Sequence, residues 1–247
     1  MLKDQSKRPF VFLIAVLLTV VSACASVTGS DKAKLENLVE KSRITVNDFL
    51  ADEMMGWMHN QIQDAKGVFI VPLMVKGAFI WGGEYGTGVF LVKDEVTGAW
   101  SEPAFYTMGT GSFGLQAGAQ ASEIVLLAMT RKGVDSMLSS TLKLGVDTSI
   151  AAGPVGAGIE GGTAVLSADM VTYARAKGLY GGLSLEGAIL EPRDGYNWSY
   201  FGKEVMPVDI LVKRAVSNPH SAGLRNTLAR AASGKGAASG AESTNSN

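Results

Sequence analysis

The sequence predicts an α+β domain: a glycine-rich, strongly curved, barrel-like antiparallel sheet with an N-terminal amphipathic helix and short packed helices. Three observations predict it. From Ala65 onward, runs such as GVFIVPLMV and GAFIWGGEYGTGVFLVKD are rich in Val, Ile, Phe, Tyr and Trp and are punctuated by glycine, which is the text of strands. The 247 residues include 30 glycines, against about 7% in an average chain. They cluster between about Gly67 and Gly202, and glycine inside strands marks bends, bulges or close backbone approach. Finally, helix-patterned text precedes the strands, but no repeated strand–helix alternation follows, as a doubly wound sheet would require.

The N-terminus reads MLKDQSKRPFVFLIAVLLTVVSACAS. Lys3, Lys7 and Arg8 form a basic region ahead of the apolar run Phe10 to Val21. That run is too short for a membrane-spanning helix of about 20 residues and suits the core of a secretory signal. Val21-Ser22-Ala23-Cys24 resembles a lipobox, with small residues that admit a peptidase before a cysteine whose thiol accepts lipid. Cys24 is the only cysteine in the chain, so residues 1–23 are expected to be a lipoprotein signal peptide. Residues 24–30 would then form a lipidated tether. Alanine after the cysteine favours an outer-membrane location, with the protein anchored in the bacterial envelope and facing the periplasm.

Asp31 to Asp52 carries Leu35, Leu38, Val39, Val46, Phe49 and Leu50 at helical spacing, with basic and acidic residues interleaved on the other faces. This is the amphipathic helix, and a second helical segment is expected around Met54 to Ala65. Asp94 to Gly98 reads as a turn between two strands. RKGVDSMLSS suggests a short helix, and the text from Thr141 to Leu190 reads as further strands. Pro207 to Val216 and Ser221 to Ala232 suggest two more short helices. The small, polar tail from Ser233 has the composition of a disordered segment. The domain is placed at residues 31–216, with a C-terminal helix and tail at 217–247.

Several chemistries find little support. A net charge of −1 argues against a nucleic-acid binder, which normally carries a basic domain. One cysteine permits neither a disulfide within the chain nor a cysteine-based zinc cage. GTGSFG (Gly109 to Gly114) fits the dinucleotide pattern G-x-G-x-x-G, but GAGIEG (Gly156 to Gly161) fits it too, with no helix-like run behind it, and strand–helix alternation is missing. These glycines are assigned to a bent sheet, and neither nucleotide nor cofactor is expected. His59 and His220 are far apart, no His-Glu-x-x-His occurs, and no serine sits in a hydrolase elbow. An enzyme is not expected. Glu84, Glu123, Glu186 and Lys177 lie in apolar text, where a buried charge is costly unless paired. Internal ion pairs and a pocket for a lipid headgroup are both open readings.

Five blocks then fall in order: KGVFIVPLMVKGAFIWGGEYGTGVFLV (Lys66 to Val92), TMGTGSFGLQAGAQASEIVLLAMT (Thr107 to Thr130), GVDTSIAAGPVGAG (Gly145 to Gly158), YARAKGLYGGLSLEGAIL (Tyr173 to Leu190) and NWSYFG (Asn197 to Gly202). Together they resemble the SYLF domain over roughly Lys34 to Met206. The resemblance implies lipid binding without catalysis. It places the membrane contact on the N-terminal amphipathic region and on basic surface residues, here Lys32, Lys34, Lys41 and Arg43, with Lys177 as a further lipid-binding candidate. The expected partner is a phospholipid membrane. The alternative is an envelope protein bound through the sheet edge.

Overall fold

The computed structural model describes residues 31–78, 81–113, 118–156, 163–176, 179–180 and 185–234. The signal segment, Cys24, Lys177 and the polar tail lie outside the described residues.

Helix α1 (Asp31–Ala51) begins where the sequence places it. Leu35, Val39, Val46 and Phe49, three or four positions apart, bury one stripe, and Asp31 sits favourably in the first turn. Asp52 accepts the amide of Met54 at 2.9 Å, capping a 3₁₀ turn, Glu53–Met55, that leads into α2 (Gly56–Asp64). Four long strands follow: β1 (Gly67–Ala78), β2 (Trp81–Val92), β3 (Ala104–Phe113) and β4 (Gly118–Ala128). The first three pair in succession as an antiparallel meander, and β4 pairs with the other side of β1. The Asp94–Gly98 turn joins β2 to β3. The Asp94 carboxylate accepts the Thr97 amide at 2.8 Å, and Gly98 takes φ 71°, where glycine is strain-free.

The rest of the chain is α3 (Arg131–Ser136), β5 (Leu142–Lys143), β6 (Ile150–Ala152), α4 (Thr163–Ser167), β7 (Met170–Ala176), β8 (Leu179–Tyr180), β9 (Ile189–Pro192), α5 (Asp194–Phe201), α6 (Pro207–Leu211) and α7 (Ala222–Ala232). The strand order is β5-β9-β3-β2-β1-β4-β7-β6, with β8 beside β7. The sheet curls into a half-barrel dominated by antiparallel pairs. The departure is β6 against β7, which are parallel. The chain passes through α4 between them, and a crossover of this kind returns the strand in the same direction.

Both faces of the sheet are covered. On one, Val68, Ile70, Val89, Phe105, Val125 and Leu127 pack beneath residues of α1, α2 and α7. On the other, Phe69, Val71, Phe90, Tyr106 and Leu126 pack against Val134, Leu142, Leu190 and Ile210. Strands covered on both sides read as unbroken apolar runs, which is why GVFIV and EIVLLA carry no alternation. Helix α7 belongs to this body: Leu224, Leu228 and Ala231 join the α1 core. The buried Glu102 accepts the Ser221 hydroxyl at 2.6 Å and lies 3.3 Å from Arg225. Asn197 is fully buried and accepts the Phe105 amide at 2.8 Å, satisfying a β3 donor ahead of its pairing with β9, which begins at Tyr106.

The feature that shapes the candidate site is a bulge in β1. Between the pairs Ile70–Val89 and Met74–Gly86, three residues of β1 oppose two of β2. On the other side, β4 is one residue short in the same place. Pro72 sits in the gap. It has no amide to donate, so within a sheet it belongs at a bulge. One extra residue reverses the facing of everything beyond it. Met74 therefore enters the second core, and Val75 turns to the helix side.

Asp169 ties α3, β6 and β7 together. Its carboxylate accepts the hydroxyls of Thr130 at 2.7 Å and Ser149 at 2.8 Å, the Ser149 amide at 3.1 Å, and the Lys132 ammonium at 3.0 Å. Burial pushes this carboxyl up. Hydrogen bonds from Thr130, Ser149 and Lys132 outweigh it and hold the group well below the usual carboxylate range. A depressed folded-state value contributes stability above the unfolded value of about 3.9, and that stability is lost as pH falls through the folded value. Asp169→Asn is expected to cost about 2 kcal/mol at pH 7. Denaturant unfolding at pH 7 and pH 3 should show the gap from wild type narrowing at the lower pH.

Candidate functional site

The C-terminal half of α1 is clamped to the sheet. Thr45 donates to Glu123 at 3.0 Å, and Arg175 donates to Glu123 at 2.8 Å and to Asp48 at 3.2 Å. The Arg175 guanidinium also lies 5.4 Å from the centre of the Phe49 ring. The N-terminal half of α1 passes over the part of β1 and β2 beyond the bulge. There the sheet residues are not covered: Leu73 is 54% exposed, Val75 48% and Tyr85 54%. Val75 and Tyr85 are directly paired across the strands.

Between helix and strands runs an open groove of about 850 Å³. One wall is Lys34, Asn37, Leu38 and Lys41 of α1, and the other is built around Leu73, Val75 and Tyr85. Gly86 lines the groove with backbone, since a Cβ there would point to the opposite face, into the second core, within 2.6 Å of Val71 and 2.9 Å of Met74. Lys34, Leu38 and Lys41 fall on one face because they are spaced by four and three. The groove is thus apolar along its length, with two ammonium groups on one rim.

The structure separates the predicted basic residues. Lys34 and Lys41 line the groove. Lys34 also reaches Asp31 at 3.3 Å, with both side chains more than half exposed, and a pair of that kind contributes little. Lys32 is exposed on the first turn of α1. Arg43 faces elsewhere: it bonds Glu40 at 2.9 Å and lies against Gly223 of α7, in a separate polar recess with Arg230. Its hydrogen bond with Glu40 raises the Arg43 value and lowers that of Glu40, so its charge is already engaged. Lys177 lies outside the described residues.

The charges in apolar text resolve into ion pairs. Glu84 meets Lys76 at 3.0 Å across β1 and β2, and Glu123 meets Arg175, while Glu186 is exposed. Tyr85 is a rim aromatic of the groove. Tyr173 is buried in the core, its hydroxyl donating to Gln61 at 2.8 Å. Gly109 and Gly111 are β3 residues paired with Tyr85 and Gly83, and the chain returns as β4 from Gly118. Gly114 lies outside the described residues, and the described text that follows is strand rather than the helix whose N-terminus a pyrophosphate would need. His59 places Nε2 3.2 Å from the Phe49 carbonyl oxygen, joining α2 to the end of α1. Among the described residues no three His, Cys, Asp or Glu side chains stand close enough to hold a metal ion. No described helix is long and apolar enough to cross a membrane.

Leu73, Val75 and Thr87 of the groove were not distinguishable from core residues by pattern. The available signal was Pro72 inside a strand, which announces a bulge and a reversal of facing.

The family described as "Ysc84: Las17-binding protein actin regulator" matches residues 109–231. An SH3 domain-containing protein of Schizosaccharomyces pombe is 34% identical over 161 residues, covering 63% of this chain and 36% of that protein. The human SH3 domain-containing YSC84-like protein 1 is 30% identical over 152 residues, covering 61% of this chain and 44% of its own. LAS seventeen-binding protein 3 of Saccharomyces cerevisiae is 29% identical over 145 residues, covering 57% and 31%. The chain therefore spans less than half the length of these relatives, one of which is named for binding LAS seventeen. On these matches the chain belongs to the Ysc84/SYLF-domain family.

Proposed function

We propose that this protein is a non-catalytic, lipid-anchored envelope protein that binds phospholipid membrane surfaces through the groove between α1 and the β1–β2 hairpin. The observation that carries the reading is the groove itself. Leu73, Val75 and Tyr85 form one exposed apolar patch beside Lys34 and Lys41. Exposed apolar surface rimmed by charge marks an interaction site, and basic residues beside it favour anionic lipid by about 1 kcal/mol each. Lipid attached to Cys24, seven positions before α1, would keep the domain at the bilayer. Each methylene buried there contributes about 0.8 kcal/mol. Alanine at position 25 favours an outer-membrane, periplasm-facing location.

The test is binding of a chain beginning at Asp31, which holds the whole described fold, to vesicles with and without anionic lipid. Lys34→Glu together with Lys41→Glu is expected to weaken anionic-vesicle binding by about 4 kcal/mol, since two attractive charges become repulsive ones. Added salt should shrink the difference. Equal binding by the variant and the parent would remove the lysines from the site.

A protein partner is the second reading, favoured by the relative named LAS seventeen-binding protein 3. The sheet ends in β5 and β6, of two and three residues, and short edge strands leave little backbone for a partner strand. A protein would find more purchase on the exposed Trp198, Met206, Val208 and Val212.

A further inference from the structure

We infer that the groove holds one acyl chain of a monoacyl phospholipid, with the phosphate on the lysine rim. The inference rests on the membrane-binding reading for its site and adds the class of molecule taken up.

Volume favours a single chain. A methylene fills roughly the space of a water molecule, about 30 Å³, so a chain of about 16 carbons needs roughly 500 Å³. The groove offers about 850 Å³. One chain fits with space for the start of a headgroup, whereas a second, bringing the need to roughly 1,000 Å³, would project from the open side of the groove into water. Shape agrees with volume. Leu38, Leu73, Val75 and the Tyr85 ring form apolar walls, and Gly86 contributes backbone to the lining.

Charge decides the headgroup. Lys34 and Lys41 stand two helical turns apart on the same wall, about 10 Å along the axis. Among the described residues no carboxylate lines the groove, and Lys34 meets one acid, Asp31, at 3.3 Å with both side chains more than half exposed. Lysine binds phosphate as a compact point charge. Asn37 and Thr87 also line the groove and carry polar groups suited to a glycerol hydroxyl. In water, the uncovered Leu73, Val75 and Tyr85 surface is unfavourable, and a bound chain would cover it. The protein would then take up a single lipid molecule as well as touch a bilayer.

The test uses the full chain carrying Cys24→Ser and monoacyl phosphatidylglycerol below its micelle concentration, followed by calorimetric titration and native mass spectrometry. One lipid per protein is expected. Val75→Asp should weaken binding more than 10-fold, and Lys41→Glu about 5-fold. Both side chains lie on the surface, so retained thermal melting is expected, and Lys41→Glu serves as the test should Val75→Asp fail to fold. Palmitate, which has the chain without the phosphate, should bind at least 5-fold more weakly, and equal affinity would overturn the phosphate assignment. Two or more lipids per protein, or vesicle binding without binding of the monoacyl lipid, would overturn the single-chain inference and leave the membrane reading standing. Binding of neither would overturn both.

Discussion

Gly88→Ala is expected to destabilise the domain by at least about 3 kcal/mol, through overlap that the core cannot relieve. Gly88 lies in β2 beside the β1 bulge. A Cβ there would overlap the Ile70 carbonyl oxygen and come within 2.9 Å of both the Phe69 ring and a Val71 methyl. Phe69, Ile70 and Val71 are fully buried in two different cores, so backbone movement away from the new methyl would disturb both faces of the sheet at once. With total stabilities of about 5–15 kcal/mol for such domains, the loss is a large fraction of what is available. The melting temperature should fall by roughly 6–12 °C for a domain of this size. Gly111→Ala is the matched control. No atom lies within 4 Å of a Cβ at that position, so its melting temperature should stay within a degree or two, corresponding to about 0.5 kcal/mol. Equal melting of the Gly88 variant and wild type would mean that β1 does not bulge toward β2 as described.

Much of this fold was legible in the residues, and for identifiable reasons. The α1 stripe of Leu35, Val39, Val46 and Phe49 has one period and one buried face, so it reads directly as a helix. The Asp94–Gly98 turn reads equally well, because Asp at its start and Gly at its end each have a specific backbone task. The sheet's antiparallel character follows from closely spaced strands without intervening long helices. The parallel β6–β7 pair was not legible, because β6 is three residues long and its partner is chosen by tertiary packing. Gly109 and Gly111 are sheet residues as read, Gly156 lies in no strand, and Gly114, Gly158 and Gly161 lie outside the described residues. The individual tasks of the sheet glycines required coordinates, since Gly88 and Gly111 look alike in sequence but face a crowded bulge and open space respectively.

The candidate site was legible in part. Positive charge on α1 pointed to Lys34 and Lys41, yet the same reasoning included Arg43, which the helical period turns about the axis toward Glu40 and α7. The apolar half of the groove was hidden, because Leu73 and Val75 sit in a run indistinguishable from core strand. Only the extra residue at Pro72 separates the residues that are buried from those that face outward.

The groove's apolar wall carries the second large effect. Leu73 and Val75 are about half exposed, so covering them with lipid contributes roughly 1 kcal/mol each. Replacing both with aspartate removes that gain and adds two charges repelled by an anionic surface, at about 1 kcal/mol each. The combined loss is about 4 kcal/mol, approaching 1,000-fold. Neither side chain belongs to either buried core, so folding should survive. The decisive measurement is the vesicle partition coefficient of the chain from Asp31 onward, wild type against Leu73→Asp/Val75→Asp, at matched thermal stability. A fall of two orders of magnitude or more is the predicted result. Unchanged partitioning by a folded variant would contradict the claim that this groove is where the protein meets lipid.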